Sequence, residues 1–109
     1  MKWIRVTRTE NVPLREGRCV TIGEEQIAIF NLGDRFVAVD NECPHRAGPL
    51  CDGIVSGATV ACPLHGYKIC LDTGNVLKPD VIIRVETYPV RVEDGVISIQ
   101  VESSREIAA

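Results

Sequence analysis

RCVTIGEEQIAIFNLGDRFVAV, residues 18–39, decides the fold of this chain. Apolar and polar residues alternate in three runs, at residues 18–22, 26–32 and 35–39, and a period of two is typical of strands with one buried face. Gly23 and Gly33 lie between the runs, and glycine supplies the positive φ that tight hairpin turns require. The stretch therefore predicts three consecutive antiparallel strands.

The same alternation recurs towards both ends of the chain, at residues 3–7, 88–92 and 96–101, with the turn signal Asp94-Gly95 between the last two. No window of 11 or more residues has an apolar stripe of period 3.6, and only residues 12–18 could form a single helical turn. The predicted fold class is all-β. Four aromatic residues of these runs are expected to be core or half-buried packing residues: Trp3, Phe30, Phe36 and Tyr88.

The length and charge of the chain limit its function. At 109 residues it is expected to form one domain, residues 1–109, and its net charge of -3 with scattered basic residues excludes a typical nucleic-acid surface. No apolar run approaches the roughly 20 residues that span a bilayer, and the first residues lack a signal-peptide core. A cytoplasmic protein without membrane contact is expected.

The segment 41–80 differs from the rest because prolines and glycines interrupt it throughout. It carries four of the five cysteines and both histidines. An odd number of cysteines does not fit a disulfide framework, and a reducing cytosol favours metal-bound thiolates. We therefore expect loops with a binding function, inserted in the β scaffold.

Two short motifs in this segment offer ligands for a metal: Cys43-Pro44-His45 and Cys62-Pro63-Leu64-His65. Thiolate and imidazole suit both zinc and iron-sulfur chemistry. Zinc sites usually take a cysteine pair from one segment and a histidine pair from another, whereas each motif here mixes the two. That mixture is typical of a Rieske centre, in which one iron takes both cysteines and the other both histidines. A zinc-stabilised binding module is the alternative.

The sequences CPHRAGPL (residues 43–50) and CPLHGYKICLDTG (residues 62–74) resemble the two cluster-binding boxes of Rieske ferredoxins. The resemblance implies an antiparallel β-sandwich or barrel scaffold with a small, loop-rich cluster-binding subdomain at residues 41–80. It also implies one 2Fe-2S cluster per chain, with the four ligands Cys43, His45, Cys62 and His65.

Three short matches outside the ligands, Tyr67-Lys68-Ile69, Pro79-Asp80 and Tyr88-Pro89-Val90, are most similar to the small subunit of NAD(P)H-dependent assimilatory nitrite reductase. This resemblance implies a large catalytic partner subunit that carries flavin, an iron-sulfur cluster and sirohaem. The alternative is the ferredoxin of an aromatic-ring-hydroxylating dioxygenase system, whose partners are a flavin reductase and an oxygenase.

The two histidines are the only ones in the chain, so none remains for a second, catalytic iron or for a nucleophile's base. The chain is expected to carry electrons without independent catalysis. Gly48 and Leu64 stand where the high-potential branch of the family has a disulfide, and Tyr67 and Ile69 stand where it has hydroxyl donors. We therefore predict a potential near the low end of the Rieske range of roughly -150 to +300 mV. Protein-film voltammetry tests this, and a value well above zero would contradict it.

Three cysteines remain outside the ligand set: Cys19, Cys51 and Cys70. Free cysteine is among the most buried residue types, so all three are expected to pack in the interior, with a Cys51–Cys70 disulfide as the alternative for two of them. Lys68, Arg46 and Tyr67 are candidates for docking a redox partner, or form a plain solvated face. The tail after residue 102 is expected to be frayed.

Overall fold

The computed structural model describes residues 2–42, 49–63, 66–78 and 81–101. Within these ranges the chain forms strands and two short 3₁₀ helices, at Thr9–Asn11 and Leu50–Asp52. The strands, in chain order, are β1 (Lys2–Arg8), β2 (Gly17–Ile22), β3 (Glu25–Asn31), β4 (Phe36–Asp40), β5 (Ile54–Ser56), β6 (Thr59–Ala61), β7 (Lys68–Cys70), β8 (Val76–Lys78), β9 (Thr87–Tyr88), β10 (Val90–Glu93) and β11 (Val96–Val101).

The strands form three antiparallel sheets, in the orders β1-β11-β10, β2-β3-β4-β9 and β5-β6-β7-β8. The predicted hairpin turns are present, because Gly23 (φ +61°), Gly33 (φ +97°) and Gly95 (φ +75°) all have the positive φ that such turns require. The all-β fold class and the antiparallel pairing of residues 18–39 are confirmed.

The β2-β3-β4-β9 sheet is central because both of its faces are covered. Side chains alternate along β3, so Ile27 and Ile29 face one side while Ala28 and Phe30 face the other. We call the side of Ala28 and Phe30 core I and the opposite side core II. The buried members of core II are Val12, Ile22, Ile27, Ile29, Ala38, Tyr88, Ile97, Ile99 and Val101. Those of core I are Ala28, Phe30, Val39, Leu50, Val60, Cys62, Ile69, Leu71, Val76 and Val85.

Core I joins the central sheet to the small β5-β6-β7-β8 sheet, whose residues all lie between positions 41 and 80. Val60, Ile69 and Val76 supply one buried side chain each from β6, β7 and β8. The small sheet therefore rests on one face of the central sheet, and the loops that carry the predicted ligands adjoin its strands in the chain. The prediction of one domain over residues 1–109 stays a prediction.

Two sequence-based expectations differ from the structure. The predicted strand at residues 88–92 is two strands, because Pro89 has no N–H for the ladder, and β9 pairs with β4 whereas β10 pairs with β11. The helical turn expected within residues 12–18 is wrong: the helical turn lies at Thr9–Asn11, and Arg15 has a left-handed φ of +61°, which ends any helical run there.

The expected burial of the surplus cysteines is also wrong. Cys19 is exposed, and Cys51 and Cys70 are half-buried and not bonded to each other. The aromatic residues do pack as expected: Phe30 and Tyr88 are buried, and Phe36 is half-buried against core II. Trp3 is also half-buried, and the Arg91 guanidinium lies 4.4 Å from the centre of its ring.

Two further expectations concern the C-terminal tail and membrane contact. The predicted tail after residue 102 lies outside the described residues. In the ranges that the structure describes, no helix has the length and apolar character needed to cross a membrane.

Tyr88 ties β9 to the end of β4 through its phenol, which donates to Asp40 Oδ1 at 2.6 Å. We expect Tyr88→Phe to lower the free energy of unfolding by about 1.5–3 kcal/mol, because a partly buried hydrogen bond to a carboxylate is lost. Urea denaturation measures this. Asp40→Asn keeps an acceptor at the same place and should cost less; an equal or larger loss in that variant would contradict the assignment.

Candidate metal centre

The second predicted ligand loop is the tip of the β6-β7 hairpin, and Cys62 directly follows β6. Ala61 pairs with Lys68, and one step further the Cys62 N–H donates to the Tyr67 carbonyl oxygen at 2.7 Å. The Gly66 N–H donates to the Cys62 carbonyl oxygen at 3.0 Å, and Gly66 has a φ of +70°. These two backbone hydrogen bonds connect Cys62 to Gly66 and Tyr67, on the far side of the loop, and fix the position of the Cys62 backbone.

The Cys62 side chain belongs to core I and is only 3% exposed. A buried thiol next to apolar side chains is shielded from solvent and from small oxidants. As a thiolate it suits an iron-sulfur cluster, because the bound iron supplies the positive charge that burial would otherwise require from a neighbour.

The first predicted ligand loop is closed at its base by Asn41. Glu42 and Pro49 form an isolated antiparallel bridge, and the Leu50 N–H donates to the Asn41 carbonyl oxygen at 2.7 Å. The Asn41 side chain is buried; its Oδ1 accepts from the Cys51 N–H at 2.9 Å and its Nδ2 donates to Gln26 at 3.4 Å. Asn41 therefore holds together the two described segments that flank residues 43–48 in the chain.

The segments that flank the two predicted ligand loops meet at Gly53. This residue follows the 3₁₀ helix Leu50–Asp52, and a Cβ built on it would collide with the Ala61 carbonyl oxygen and lie 2.7 Å from Val60 Cγ2. The segment that follows the first predicted ligand loop therefore packs directly on β6. The last residue of β6, Ala61, immediately precedes Cys62. Only glycine permits so close an approach of two backbones.

The structure places one of the four predicted ligands. Cys43, His45 and His65 lie outside the described residues, as do Gly48, Leu64, Arg46 and the Pro79-Asp80 pair. Among the residues that are described, no group of three or more cysteine, histidine and carboxylate side chains is arranged to hold a metal. The assignment of the four ligands therefore stays a prediction. Of the residues in or next to the two loops, the structure describes Cys62 in the second motif and Asn41 at the base of the first.

Two residues near the second loop in the chain, Cys70 and Asp72, make polar contacts. Burial raises the pKa of the Cys70 thiol, but hydrogen bonds from Thr73 and from the Asp72 backbone outweigh it and hold that pKa below its usual value. Asp72, between β7 and β8, accepts a two-pronged contact from Arg35, at 2.6 Å from Nη2 and 3.2 Å from Nε. Arg35 thus links the start of β4 to the small sheet.

Two of the residues expected to dock a redox partner, Tyr67 and Lys68, are described by the structure. Tyr67 is half-buried and packs against core I, so packing is one of its roles. Lys68 is half-buried in β7 and pairs with Ala61 and Lys78. Their part in docking stays a prediction.

Comparison with known proteins matches residues 2–100 to the family described as the Rieske-like [2Fe-2S] domain. The chain is 39% identical over 80 residues to the 3-phenylpropionate/cinnamic acid dioxygenase ferredoxin subunit of Escherichia coli (strain K12), covering 72% of this chain and 76% of the relative. The structure of a Sphingomonas yanoikuyae B1 ferredoxin superposes with a TM-score of 0.85 at 28% identity, covering 93% and 100% of the two chains. A protein described as a nitrite reductase NADPH small subunit superposes with a TM-score of 0.80 at 22% identity, again over 93% and 100%, and shows the shared fold.

The chain therefore belongs to the Rieske-like [2Fe-2S] domain family. It is an electron-transfer domain that binds a Rieske-type 2Fe-2S cluster, as the sequence motifs predicted. The buried thiol of Cys62 and the closed bases of both loops fit such a group. The match extends over the scaffold strands and not only over the ligand boxes.

Asn41 is a positioning residue that sequence reasoning missed. We expect Asn41→Ala to lower the free energy of unfolding by about 1–3 kcal/mol, because the Cys51 N–H loses its partner, and to speed release of iron to a chelator. Denaturation and the decay of visible absorbance measure the two effects. Asn11→Ala is the control: Asn11 is exposed and donates to Thr7 Oγ1 at 3.1 Å, and its loss should cost less than about 0.5 kcal/mol. Equal effects in the two variants would contradict the role of Asn41.

Proposed function

We propose that this chain is the electron-carrying small subunit of an NAD(P)H nitrite reductase, with Cys43, His45, Cys62 and His65 as its cluster ligands. The observation that carries the proposal is the match at Tyr67-Lys68-Ile69, Pro79-Asp80 and Tyr88-Pro89-Val90. These residues are not among the four ligands. All proteins with this type of centre need the ligands, so the ligands cannot distinguish one member of the family from another.

The cluster supplies reversible uptake of a single electron. The protein's own part is to hold the ligands and exclude water from the thiolate side. Cys62 is buried on core I, and Asn41 bonds to the Cys51 N–H next to the base of the first predicted ligand loop. The two proposed histidine ligands then form the side towards which a redox partner binds.

A second candidate function is the ferredoxin component of an aromatic-ring dioxygenase system. Identity of 39% over 80 residues to the Escherichia coli dioxygenase ferredoxin subunit favours it. In that case the partners are a flavin reductase as donor and a terminal oxygenase as acceptor. Both candidates share the ligands and the fold, and they differ in the surface that the catalytic partner recognises.

Purification of the tagged, cluster-loaded chain from its native cell tests the proposal. We expect a large flavoprotein with sirohaem absorption to co-purify. We also expect the reduced-state EPR signal of the Rieske centre to form with NAD(P)H and to disappear when nitrite is added. The Cys62→Ser chain, purified in the same way, gives the background of the EPR measurement.

The alternatives give different results. Reoxidation that depends on an oxygenase, its aromatic substrate and oxygen, but not on nitrite, would establish the second candidate in place of the first. A colourless chain that contains stoichiometric zinc and no iron would contradict both. The cytoplasmic location stays a prediction.

A further inference from the structure

Cys19 and Cys51 lie on two elements that pack against each other. Cys19 is in β2, and Cys51 is in the 3₁₀ helix Leu50–Asp52. Alternate residues of a strand face the same side, so Cys19 faces the same side of β2 as Gly17. A Cβ built on Gly17 would lie 2.8 Å from the Cys51 carbonyl oxygen. The side of β2 that carries Cys19 is therefore the side on which the helix rests.

The Cys19 and Cys51 side chains are near enough to interact with each other, and the Cys51 sulfur also lies 3.9 Å from Asp52 Oδ1. Contact of two sulfurs from separate elements is the first requirement for a disulfide, since cysteines that point apart cannot be bridged without backbone movement. Cys19 is exposed and Cys51 is half-buried, so small molecules in solution can reach the pair.

The third surplus cysteine has other partners. Cys70 is in β7, and its sulfur is held by hydrogen bonds from Thr73 and the Asp72 backbone. It provides an internal reference, because it has the same residue type and intermediate exposure but no described contact with the Cys19 or Cys51 sulfur.

We propose that Cys19 and Cys51 form a dithiol site that low-molecular-weight disulfides, such as oxidised glutathione, convert to an intramolecular disulfide. The Cys19 thiolate attacks one sulfur of oxidised glutathione, forms a mixed disulfide and releases one glutathione thiol. The Cys51 thiolate then attacks the Cys19 sulfur and releases the second glutathione thiol. The two cysteines lose two electrons and two protons, and one oxidised glutathione becomes two reduced ones.

The bridge would join the scaffold to the ligand region. Cys51 follows the first predicted ligand loop, and its N–H is fixed by Asn41. Cys19 is in the central sheet. A covalent link between them would connect the central sheet to the 3₁₀ helix Leu50–Asp52, which follows the first predicted ligand loop in the chain.

The test exposes the cluster-loaded protein to oxidised glutathione at mildly alkaline pH, because burial raises the pKa of Cys19 and raises that of Cys51 to about 11. Intact mass spectrometry and peptide mapping without reductant follow the product. We expect the mass to fall by about 2 Da, a Cys19–Cys51 linked peptide to appear, and no glutathione to be retained. The Cys70→Ser protein should behave identically.

Cys19→Ser and Cys51→Ser should give no linked peptide, while the visible spectrum of the cluster shows that both variants fold. Three results would overturn the proposal. They are a stable glutathione adduct on Cys19 of the otherwise unmodified protein, a Cys51–Cys70 linked peptide in its place, or no reaction of the folded protein under conditions that oxidise the unfolded chain.

Discussion

The Cys62→Ser protein is expected to contain no Rieske cluster. A serine hydroxyl stays protonated where a thiolate is needed, and Cys62 carries the one thiol among the described buried residues of core I. The purified variant should have less than about a tenth of the iron of the unmodified protein and no rhombic EPR signal after reduction. Iron analysis and low-temperature EPR of both proteins measure this.

Cys70→Ser is the matched control for this loss. Cys70 lies on the same small sheet, eight positions along the chain, but its sulfur bonds to Thr73 and to the Asp72 backbone. The variant should keep its full iron content and its EPR signal. If Cys62→Ser retains the signal, Cys62 is not a ligand. If Cys70→Ser loses it, the second box holds the cluster through a different cysteine.

The scaffold strands could be predicted from the sequence because each carries local information. Five or more residues of alternation and a glycine turn identify β2, β3 and β4 without any knowledge of their partners. The strands β5, β6, β7 and β8 have three residues each, too few for a period of two to stand out from neighbouring turns. Their existence depends on pairing with one another and on packing against core I.

The residues of the candidate site also fall into those that local sequence identifies and those that depend on distant contacts. Cysteine and histidine are identified as ligands by their chemistry, and their spacing is local in sequence. The roles of Asn41 and Gly53 are not local: Asn41 bonds to Gln26 and to the Cys51 N–H, and Gly53 contacts the backbone of β6. A single asparagine or glycine in a loop is common, so neither residue type signals such a role before the fold is known.

The surplus cysteines show the limit of predictions from average burial. Cysteine is usually buried because its thiol behaves as a small apolar group. Cys19 nevertheless is exposed on β2, on the side of that strand on which the helix Leu50–Asp52 rests. Its neighbour across the gap, Cys51, follows 32 positions later, a separation at which pairing cannot be deduced from sequence.

Gly53→Ala should disrupt the contact between the segments that flank the two predicted ligand loops. The added methyl group would collide with the Ala61 carbonyl oxygen and lie 3.1 Å from the Leu50 carbonyl oxygen, and backbone atoms cannot rotate away as a side chain can. We expect the free energy of unfolding to fall by about 3 kcal/mol and iron to be lost severalfold faster to a chelator, since the helix Leu50–Asp52 must move off the strand that leads into Cys62.

Gly57→Ala separates this steric effect from the loss of a glycine as such. Gly57 is in the β5-β6 turn with a φ of +59°, and a Cβ there meets nothing within 4 Å. The substitution carries only the cost of a left-handed alanine, about 1 kcal/mol, and should leave iron release unchanged. Urea denaturation and chelator kinetics on both variants decide the matter. If Gly53→Ala loses no more stability and no more iron than Gly57→Ala, the contact at Gly53 does not support the cluster site.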